Sequence, residues 1–270
     1  VNRLNTRANK KNSQNTFIPD EYADNDQVLK MVQEIISVYK SEKLERNTTL
    51  LFVAINLLKN KGLVEYNKLS DFNDLVFKSN TIKSEVKWWL EKSNAKIPEK
   101  KYLHLLDISI PEITDVLGLI YQSVVVEGSK AEGGSYYTPK KVVDEIVDSY
   151  VNTKHIVLDP CCGTGQFILS IARKVKDPSK IWGFDIDETA VRLARLNLIL
   201  HFSDVDFEPH IYHKNTLTDA GQSGLFSEKN IPEFDVVITN PPWGVHFSKD
   251  ENYQLQNLFP EIKSGEAFSY

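Results

Sequence analysis

His155-Ile-Val-Leu-Asp159-Pro-Cys-Cys-Gly163-Thr-Gly165-Gln-Phe167 is the most informative stretch of this 270-residue sequence. A short apolar run ends at Asp159, which predicts a buried strand. Gly163 and Gly165 then allow a tight turn, and a helical pattern runs from Gln166 to about Val175. A strand, a turn and a helix in this order form the repeating unit of parallel sheets, which bind ligands where their strands end.

The same alternation continues after this stretch. A second strand is predicted at Ile181–Asp185, with a helix from Glu188 to about Leu200. Further strands are predicted at His210–His213 and at Phe234–Thr239. Alternating strands and helices predict an α/β fold with a doubly wound parallel sheet and right-handed crossovers.

The first part of the sequence has a different pattern. Residues 26–126 carry apolar positions three and four residues apart, which predicts a small all-helical domain. Its clearest stripe consists of Val28, Met31, Val32, Ile35, Ile36 and Tyr39. The polar residues 1–25 predict a flexible arm, and the glycine-rich residues 127–134 predict a linker to a second domain at 135–270.

The composition is that of an ordinary soluble globular protein, with 41% hydrophobic and 26% charged residues. No apolar run is long enough to span a membrane, and the polar, basic N-terminus lacks the apolar core of a signal peptide. The only cysteines, Cys161 and Cys162, are adjacent, so we expect reduced thiols in a cytoplasmic protein. A net charge of −5 is unusual for a nucleic-acid-binding protein, so any basic surface is expected in a local patch or outside this chain.

Asp159 indicates the chemical character of the ligand at the glycine turn. Gly-Thr-Gly lacks the third glycine of the dinucleotide fingerprint, and a carboxylate would repel a pyrophosphate. A carboxylate suits a ligand with an ammonium group, such as the amino-acid end of S-adenosylmethionine. An ordinary strand-to-helix turn is the structural alternative. The cofactor-binding candidates in this segment are Asp159, Cys161, Gly163, Gly165 and Phe167.

Asp185 ends the second predicted strand, about 20 residues after Gly165. An acidic side chain at this position accepts hydrogen bonds from both ribose hydroxyls of a nucleoside, although a solvated loop carboxylate is the alternative. Asp187 is instead predicted to cap the helix that follows.

Asn240-Pro-Pro-Trp243 follows the last predicted strand. An amino group on an aromatic ring is a poor nucleophile, because its lone pair is delocalised. Two acceptors facing its N–H groups, the Asn240 side-chain oxygen and the Pro241 carbonyl, favour a pyramidal nitrogen that attacks a methyl group directly. Pro241 and Pro242 stiffen the segment, and Trp243 offers a flat face on which a flipped-out base stacks. A strand-end turn with a packed tryptophan is the alternative.

Gly134-Ser-Tyr-Tyr-Thr138-Pro139 precedes a helical pattern that begins near Lys140. Two predictions are open here. Thr138 caps this helix with Pro139 at its first position, or the helix N-terminus holds the carboxylate end of the cofactor. The histidines of the His210–His213 strand do not predict a metal site. Neither cysteine lies in the Asn-Pro-Pro-Trp segment, which disfavours methylation of cytosine carbon 5 through a cysteine nucleophile.

In this order the motifs resemble those of the gamma class of amino-methyltransferases of restriction–modification systems. Tyr137-Thr138-Pro139, the glycine segment, Asp185 and Asn240–Trp243 follow one another as in that class. The segment Leu117–Gln122 also resembles its lead-in, so the resemblance covers about residues 115–270. It implies a Rossmann-like, S-adenosylmethionine-dependent methyltransferase domain that acts on the N6 amino group of adenine in double-stranded DNA.

The resemblance also implies roles for individual residues. Thr138 and Asp159 are expected to hold the methionine end of the cofactor. Asp185 is expected to bind its ribose, and Ile186 to pack on its adenine. Asn215 departs from the pattern, because the class commonly has an aspartate there that contacts the adenine amino group. The target-adenine pocket is expected to contain Asn240, Pro241, Pro242 and Trp243.

The class has a sheet of seven strands, of which the sequence predicts four. The resemblance therefore implies a fragment whose partners are a specificity subunit, or a fused nuclease and target-recognition domain. Enzymes that methylate guanine in ribosomal RNA or glutamine in release factors also use Asn-Pro-Pro-aromatic and are alternatives. A module that binds the cofactor or DNA without turnover is a further alternative.

Overall fold

The computed structural model describes residues 18–19, 22, 24–93, 95, 98–113, 115–128, 138–218, 231–242 and 248–258. Contacts between residues divide the chain into two units. The first unit consists of Val1–Lys130 and Ile199–Glu208, and the second consists of Ala131–Leu198 and Pro209–Tyr270. Most of the predicted arm, 1–25, lies outside the described residues, as does the predicted linker from residue 129 onward. The first two linker residues, Glu127 and Gly128, are helical.

The first unit consists mainly of helices. They are α1 (Asp26–Ser41), α2 (Arg46–Asn60), α3 (Asn80–Lys92), α4 (Lys100–Leu103) and α5 (Val116–Gly128). The Asn25 side chain starts α1 by accepting a hydrogen bond from Val28 N–H at 3.1 Å. The predicted stripe of α1 is buried except at Tyr39, and α2 packs against α3 and α5. No helix in the described part of the chain is long and apolar enough to cross a membrane.

The all-helical prediction for residues 26–126 needs one local correction. Two short strands, β1 (Val64–Glu65) and β2 (Val76–Phe77), pair antiparallel within this region. Two residues are too few to produce the alternating pattern by which strands are recognised in a sequence. The pairing depends instead on the chain reversal between the strands.

The second unit contains the predicted sheet. Its elements are α6 (Lys140–Tyr150), β3 (Val157–Asp159), α7 (Gln166–Val175), β4 (Ile181–Asp185), all but the last three residues of α8 (Glu188–His201), β5 (His210–His213), β6 (Val236–Val237) and α9 (Lys249–Leu258). All four predicted strands are confirmed, although the first and last are shorter than predicted. Helix α7 packs on β3 and β4, and α6 packs on α7.

The strand order places a crevice beside β3. The four strands run parallel in the order β5-β4-β3-β6, so the chain moves outward from β3 to β5 and returns on the other side of β3. Such a reversal opens a crevice at the carboxyl ends of the strands on either side of it. Asp159 ends β3, and Asn240 follows β6 by three residues. The topology therefore brings these two side chains to the same edge of the sheet.

Candidate active site

The tight turn predicted after the first strand is confirmed by the backbone. β3 ends at Asp159, and Gly163 and Gly165 have φ values of 51° and 99°, in the region that favours glycine. A Cβ atom at Gly165 would lie 3.1 Å from the Cβ of Ala194 on α8, which leaves little room for a side chain. The turn therefore leads straight into the N-terminus of α7 at the carboxyl edge of the sheet.

Side chains distant in sequence hold this turn in place. Asn197 of α8 donates a hydrogen bond to the carbonyl oxygen of Thr164 at 3.0 Å. The hydroxyl of Thr216 donates to the carbonyl oxygen of Pro160 at 2.9 Å. Neither side chain belongs to a motif, so sequence patterns do not predict these roles. The one signal in the sequence is that Asn197 is a polar residue within the apolar face of α8. Asn197 is only 4% exposed, and a buried amide needs a hydrogen-bond partner.

The side chain of Asp185, at the end of β4, bonds to the turn that follows the neighbouring strand β3. Its Oδ2 accepts a hydrogen bond from Gly163 N–H at 2.8 Å, and its Oδ1 accepts one from Asp187 N–H at 2.9 Å. Ile186 N–H also donates to this carboxylate, and the remaining lone pair can accept a hydroxyl. Asp187 accepts from the N–H groups of Thr189 and Ala190, which confirms the predicted helix cap. The ribose contact of Asp185 stays a prediction.

The carboxyl group of Asp159 is buried, and that of Asp185 beside it is partly buried. Asp159 is 1% exposed, and burial raises its pKa to about 7, with a smaller contribution from the negative charge of Asp185. The Thr239 hydroxyl beside it opposes this rise, and so does Cys161 N–H, which donates to Asp159 Oδ1 at 3.2 Å. Burial likewise raises the pKa of Asp185. The buried hydroxyl oxygen of Thr239 adds a further acceptor beside Asp159. A cationic ligand group with N–H donors would satisfy this set of acceptors.

Cys161 and Phe167, the other candidates of the glycine segment, have different surroundings. Phe167 is buried on α7 as part of the core. Cys161 is partly exposed, and burial together with the charge of Asp159 raises the pKa of its thiol to about 11. A thiol that stays protonated at neutral pH is a poor nucleophile, in keeping with a reaction that needs no covalent enzyme intermediate.

Ile186 and Asn215 lie beyond the ends of β4 and β5. Ile186 is 64% exposed and offers an apolar surface for a flat ring. Asn215 uses its side-chain oxygen in its own turn, accepting from Leu217 N–H at 3.0 Å and from Thr218 N–H at 3.4 Å. The contacts of both residues with the cofactor adenine stay predictions. The Asn215 side-chain oxygen would have to accept the adenine amino group in addition to the two N–H groups that it already accepts.

The predicted helix cap at Thr138 is wrong. Helix α6 begins at Lys140, and Pro139 occupies the N-cap position without a side-chain hydrogen bond. Thr138 is one residue too early to reach the first N–H groups of the helix. Its hydroxyl instead accepts a hydrogen bond from Asn240 Nδ2 at 2.9 Å. Two motifs that are 102 residues apart in the sequence thus meet in one contact.

The remaining part of the Asn-Pro-Pro-Trp segment is described only up to Pro242. Pro241 is partly buried and Pro242 is exposed. Trp243 lies outside the described residues, as do Tyr136 and Tyr137. The stacking role of Trp243 therefore stays a prediction.

Comparison with known proteins agrees with this geometry. A family model described as N-6 DNA Methylase matches residues 112–267, more than half of the chain. The chain belongs to the N-6 DNA methylase family. The matched range includes both Thr138 and Asn240, so the contact between them lies inside the region shared with the family.

Individual members of the family are similar over about half of this chain. The type II methyltransferase M.VspI of Vibrio sp. (strain 343) is 32% identical over 138 residues, which are 50% of this chain and 32% of that protein. The MjaIX methylase subunit of a type I restriction enzyme from Methanocaldococcus jannaschii is 30% identical over 159 residues, 55% of this chain and 25% of that protein. The chain thus spans a third or less of the length of these relatives.

One solved structure shares the fold. It is a protein assigned as a modification subunit of a type I restriction enzyme from Vibrio vulnificus YJ016. The TM-score is 0.55 at 17% sequence identity, and the match covers 84% of this chain and 63% of that one. At this identity the similarity establishes the architecture of a Rossmann-like methyltransferase domain preceded by helices, and not the substrate.

Proposed function

We propose that the protein transfers a methyl group from S-adenosylmethionine to the exocyclic N6 amino group of adenine in double-stranded DNA, as the modification enzyme of a restriction–modification system. The observation that carries this proposal is the position of Asn240. It lies at the carboxyl edge of the sheet, beyond β6, and β6 is the strand next to Asp159. A donor site and an acceptor site at adjoining strand ends are what a direct methyl transfer needs.

The strand ends of β3 and β4 fit the cofactor. Asp159 and the hydroxyl of Thr239 offer acceptors for its ammonium group, and Asp185 offers acceptors for its ribose hydroxyls. Ile186 supplies an exposed apolar surface for its adenine ring. When bound, S-adenosylmethionine supplies a methyl group that is activated by the adjacent sulfonium.

The residues after β6 fit the acceptor. Asn240 Oδ1 and the carbonyl oxygen of Pro241 would each accept an N–H of the target amino group. Two such hydrogen bonds favour the pyramidal nitrogen, whose lone pair then points away from the acceptors. A base inside a duplex cannot reach such a pocket, so the adenine must be flipped out of the stack. No residue of the chain needs to act as a covalent nucleophile.

The relatives suggest the partners. The MjaIX relative is named as the methylase subunit of a type I restriction enzyme, whereas M.VspI is named as a type II methyltransferase. We therefore propose that this protein acts on DNA together with a specificity subunit, or with a nuclease and target-recognition domain on the same chain. The net charge of −5 is consistent with a DNA-binding surface supplied largely by such partners.

A methyl-transfer assay tests the proposal. The full-length protein is incubated with S-adenosylmethionine carrying a radioactive methyl group and, separately, with unmethylated DNA, fully N6-methylated DNA, ribosomal RNA and release-factor protein. We expect label in N6-methyladenine of the unmethylated DNA and none in the methylated DNA. Label that appears only in RNA guanine or in protein glutamine would contradict the proposed substrate.

A further inference from the structure

Ile186 is an exposed apolar residue whose backbone is held on both sides. Its side chain is 64% exposed, just beyond the end of β4. Its N–H donates to the Asp185 carboxylate, and its carbonyl oxygen accepts a hydrogen bond from His213 Nε2 at 3.0 Å. A single exposed apolar side chain needs no explanation, but a loop residue whose N–H and carbonyl groups are both bound by side chains has little freedom to move. The chain therefore presents Ile186 in a fixed position.

His213 extends the pairing of β4 and β5 by one residue through its side chain. Asp185 and His213 are the last paired residues of these parallel strands, and Lys214 N–H donates to Asp185 O at 2.9 Å. Ile186 lies one residue beyond this paired region. A carbonyl oxygen can only accept, so His213 Nε2 must carry a proton and donate it to the hydrogen bond. The direction of the contact is therefore unambiguous.

The strand order places Ile186 where the base of a bound nucleoside would lie. Strand β4 lies between β3 and β5. Asp159 ends β3 and Asp185 ends β4, so a ligand with its ammonium group at the first and its ribose at the second extends along the edge of the sheet towards β5. Its base then meets the residue after Asp185, which is Ile186, on the side that faces the last residue of β5.

We propose that His213 is a positioning residue that binds the Ile186 carbonyl and thereby holds the Ile186 side chain against the adenine ring of the cofactor. The sequence motifs assign no role to His213, and this role needs no contact between His213 and the cofactor itself. The affinity for the cofactor then depends on β5 as well as on β3 and β4. The inference rests on the proposed function for the identity of the ligand, whereas the contact between His213 and Ile186 can be measured without any ligand.

Substitutions of His213 test this role in cofactor binding. His213→Ala removes the donor, whereas His213→Gln keeps an N–H donor on a side chain of similar length. We expect the dissociation constant for S-adenosylmethionine, measured by calorimetry, to rise about 3- to 10-fold in His213→Ala, the usual worth of one hydrogen bond, and to stay within about 2-fold of wild type in His213→Gln. KM for the cofactor should rise in parallel, with kcat changed less than about 3-fold, because the contact does not serve the transfer step. His104→Ala is the matched control, since His104 is also exposed and its Nε2 pairs with Glu34 at 3.0 Å in the other unit.

A double-mutant cycle separates positioning from direct contact with the cofactor. Ile186→Ala should weaken cofactor binding at least as much as His213→Ala, because it removes the apolar surface itself. If His213 acts through Ile186, adding His213→Ala to the Ile186→Ala protein should weaken binding by less than about a further 2-fold. Equal losses in both backgrounds would mean that His213 contacts the cofactor directly, and would overturn the proposal.

The peptide group between Ile186 and Asp187 supplies a readout that does not depend on binding. These residues form the only Ile-Asp pair in the sequence. Protein labelled with ¹³C at the isoleucine carbonyls and with ¹⁵N at aspartate therefore gives one NMR signal that correlates the two nuclei. We expect this signal, in the absence of cofactor, to shift in His213→Ala and to stay close to its wild-type position in His213→Gln and His104→Ala.

Each failure has its own signature. A His213→Ala protein with wild-type cofactor affinity would overturn the proposal, whether or not the NMR signal shifts. An unchanged signal in His213→Ala would show that His213 does not hold Ile186. A wild-type protein that binds no S-adenosylmethionine would refute the proposed function, while the NMR comparison would still test the contact between His213 and Ile186.

Discussion

Replacing Asp159 with asparagine is expected to make the cofactor-free protein more stable at alkaline pH and to weaken cofactor binding. The carboxyl group is almost completely buried, and burial raises its pKa from 3.8 to about 7. The folded chain therefore keeps a proton on Asp159 that the unfolded chain releases between about pH 4 and pH 7. This group adds almost no penalty below pH 4; the cost grows between about pH 4 and pH 7 and stays constant above that.

The magnitude follows from the two pKa values. One factor of ten in proton affinity corresponds to about 1.4 kcal/mol, so an ionised Asp159 costs the folded state about 4 kcal/mol at pH 8. The same relation gives a cost of about 1.5–2 kcal/mol at pH 5. Asparagine carries no charge and still accepts from Cys161 N–H. Asp159→Asn should therefore gain about 2–3 kcal/mol more stability at pH 8 than at pH 5, relative to wild type.

Urea unfolding at pH 5 and pH 8 measures this difference. Hydrogen exchange of peptides from β3 and α7 should be used, because they report on the unit that contains Asp159. Asp148→Asn is the control, since the pKa of exposed Asp148 is lowered by its hydrogen bond to Arg173, and no gain is expected at pH 8. Calorimetry should show S-adenosylmethionine binding about 10- to 100-fold more weakly to Asp159→Asn, because a charge-assisted hydrogen bond is lost. A stability change that is the same at both pH values, or a loss at pH 8, would refute this reasoning.

Three further substitutions test other parts of the site. Asn240→Ala should abolish methylation with less than about a 3-fold change in cofactor affinity, since its oxygen serves the acceptor; loss of both together would mean that Asn240 is structural. Gly165→Ala should lower the free energy of unfolding by about 1–3 kcal/mol, because φ is 99° and the new methyl group would lie 3.1 Å from Ala194. Urea unfolding measures this loss, and wild-type stability would contradict it. Asn197→Ala should cost about 1–3 kcal/mol by leaving the Thr164 carbonyl oxygen without its donor. It should also weaken cofactor binding, and calorimetry that shows full affinity would mean that the glycine turn keeps its shape without Asn197.

The sequence predicts most of the second unit because its signals are local. Each strand of the parallel sheet is an apolar run, and each run ends at a glycine turn or a polar residue that marks its boundary. Thus Val157–Asp159 and Ile181–Asp185 are found within two residues of their predicted limits. The β1–β2 pair has no such signal, because two residues per strand leave no period to detect.

The sequence predicts Asp185 and Asn240 as site residues from the chemistry that a nucleoside and an amino group require. The structure places both at the carboxyl ends of strands, and their roles stay predictions. The sequence does not predict the partner of Thr138. Thr138-Pro139 has the pattern of a threonine N-cap followed by a proline at the first helical position, but the helix starts one residue later, at Lys140. Once the cap is lost, a hydroxyl beside a strand end needs another partner, and the strand order of the sheet brings Asn240 within 2.9 Å.

The buried carboxyl of Asp159 and the amide of Asn240 meet the same physical requirement. A site that binds a cation in one place and an amino group in another must present unsatisfied acceptors in both, and unsatisfied acceptors are costly in a folded chain. At Asp159 the cost appears as a raised pKa, because the carboxyl group can take up a proton when no ligand is present. At Asn240 no proton can be taken up, and its NH₂ group is paired with the Thr138 hydroxyl at 2.9 Å instead.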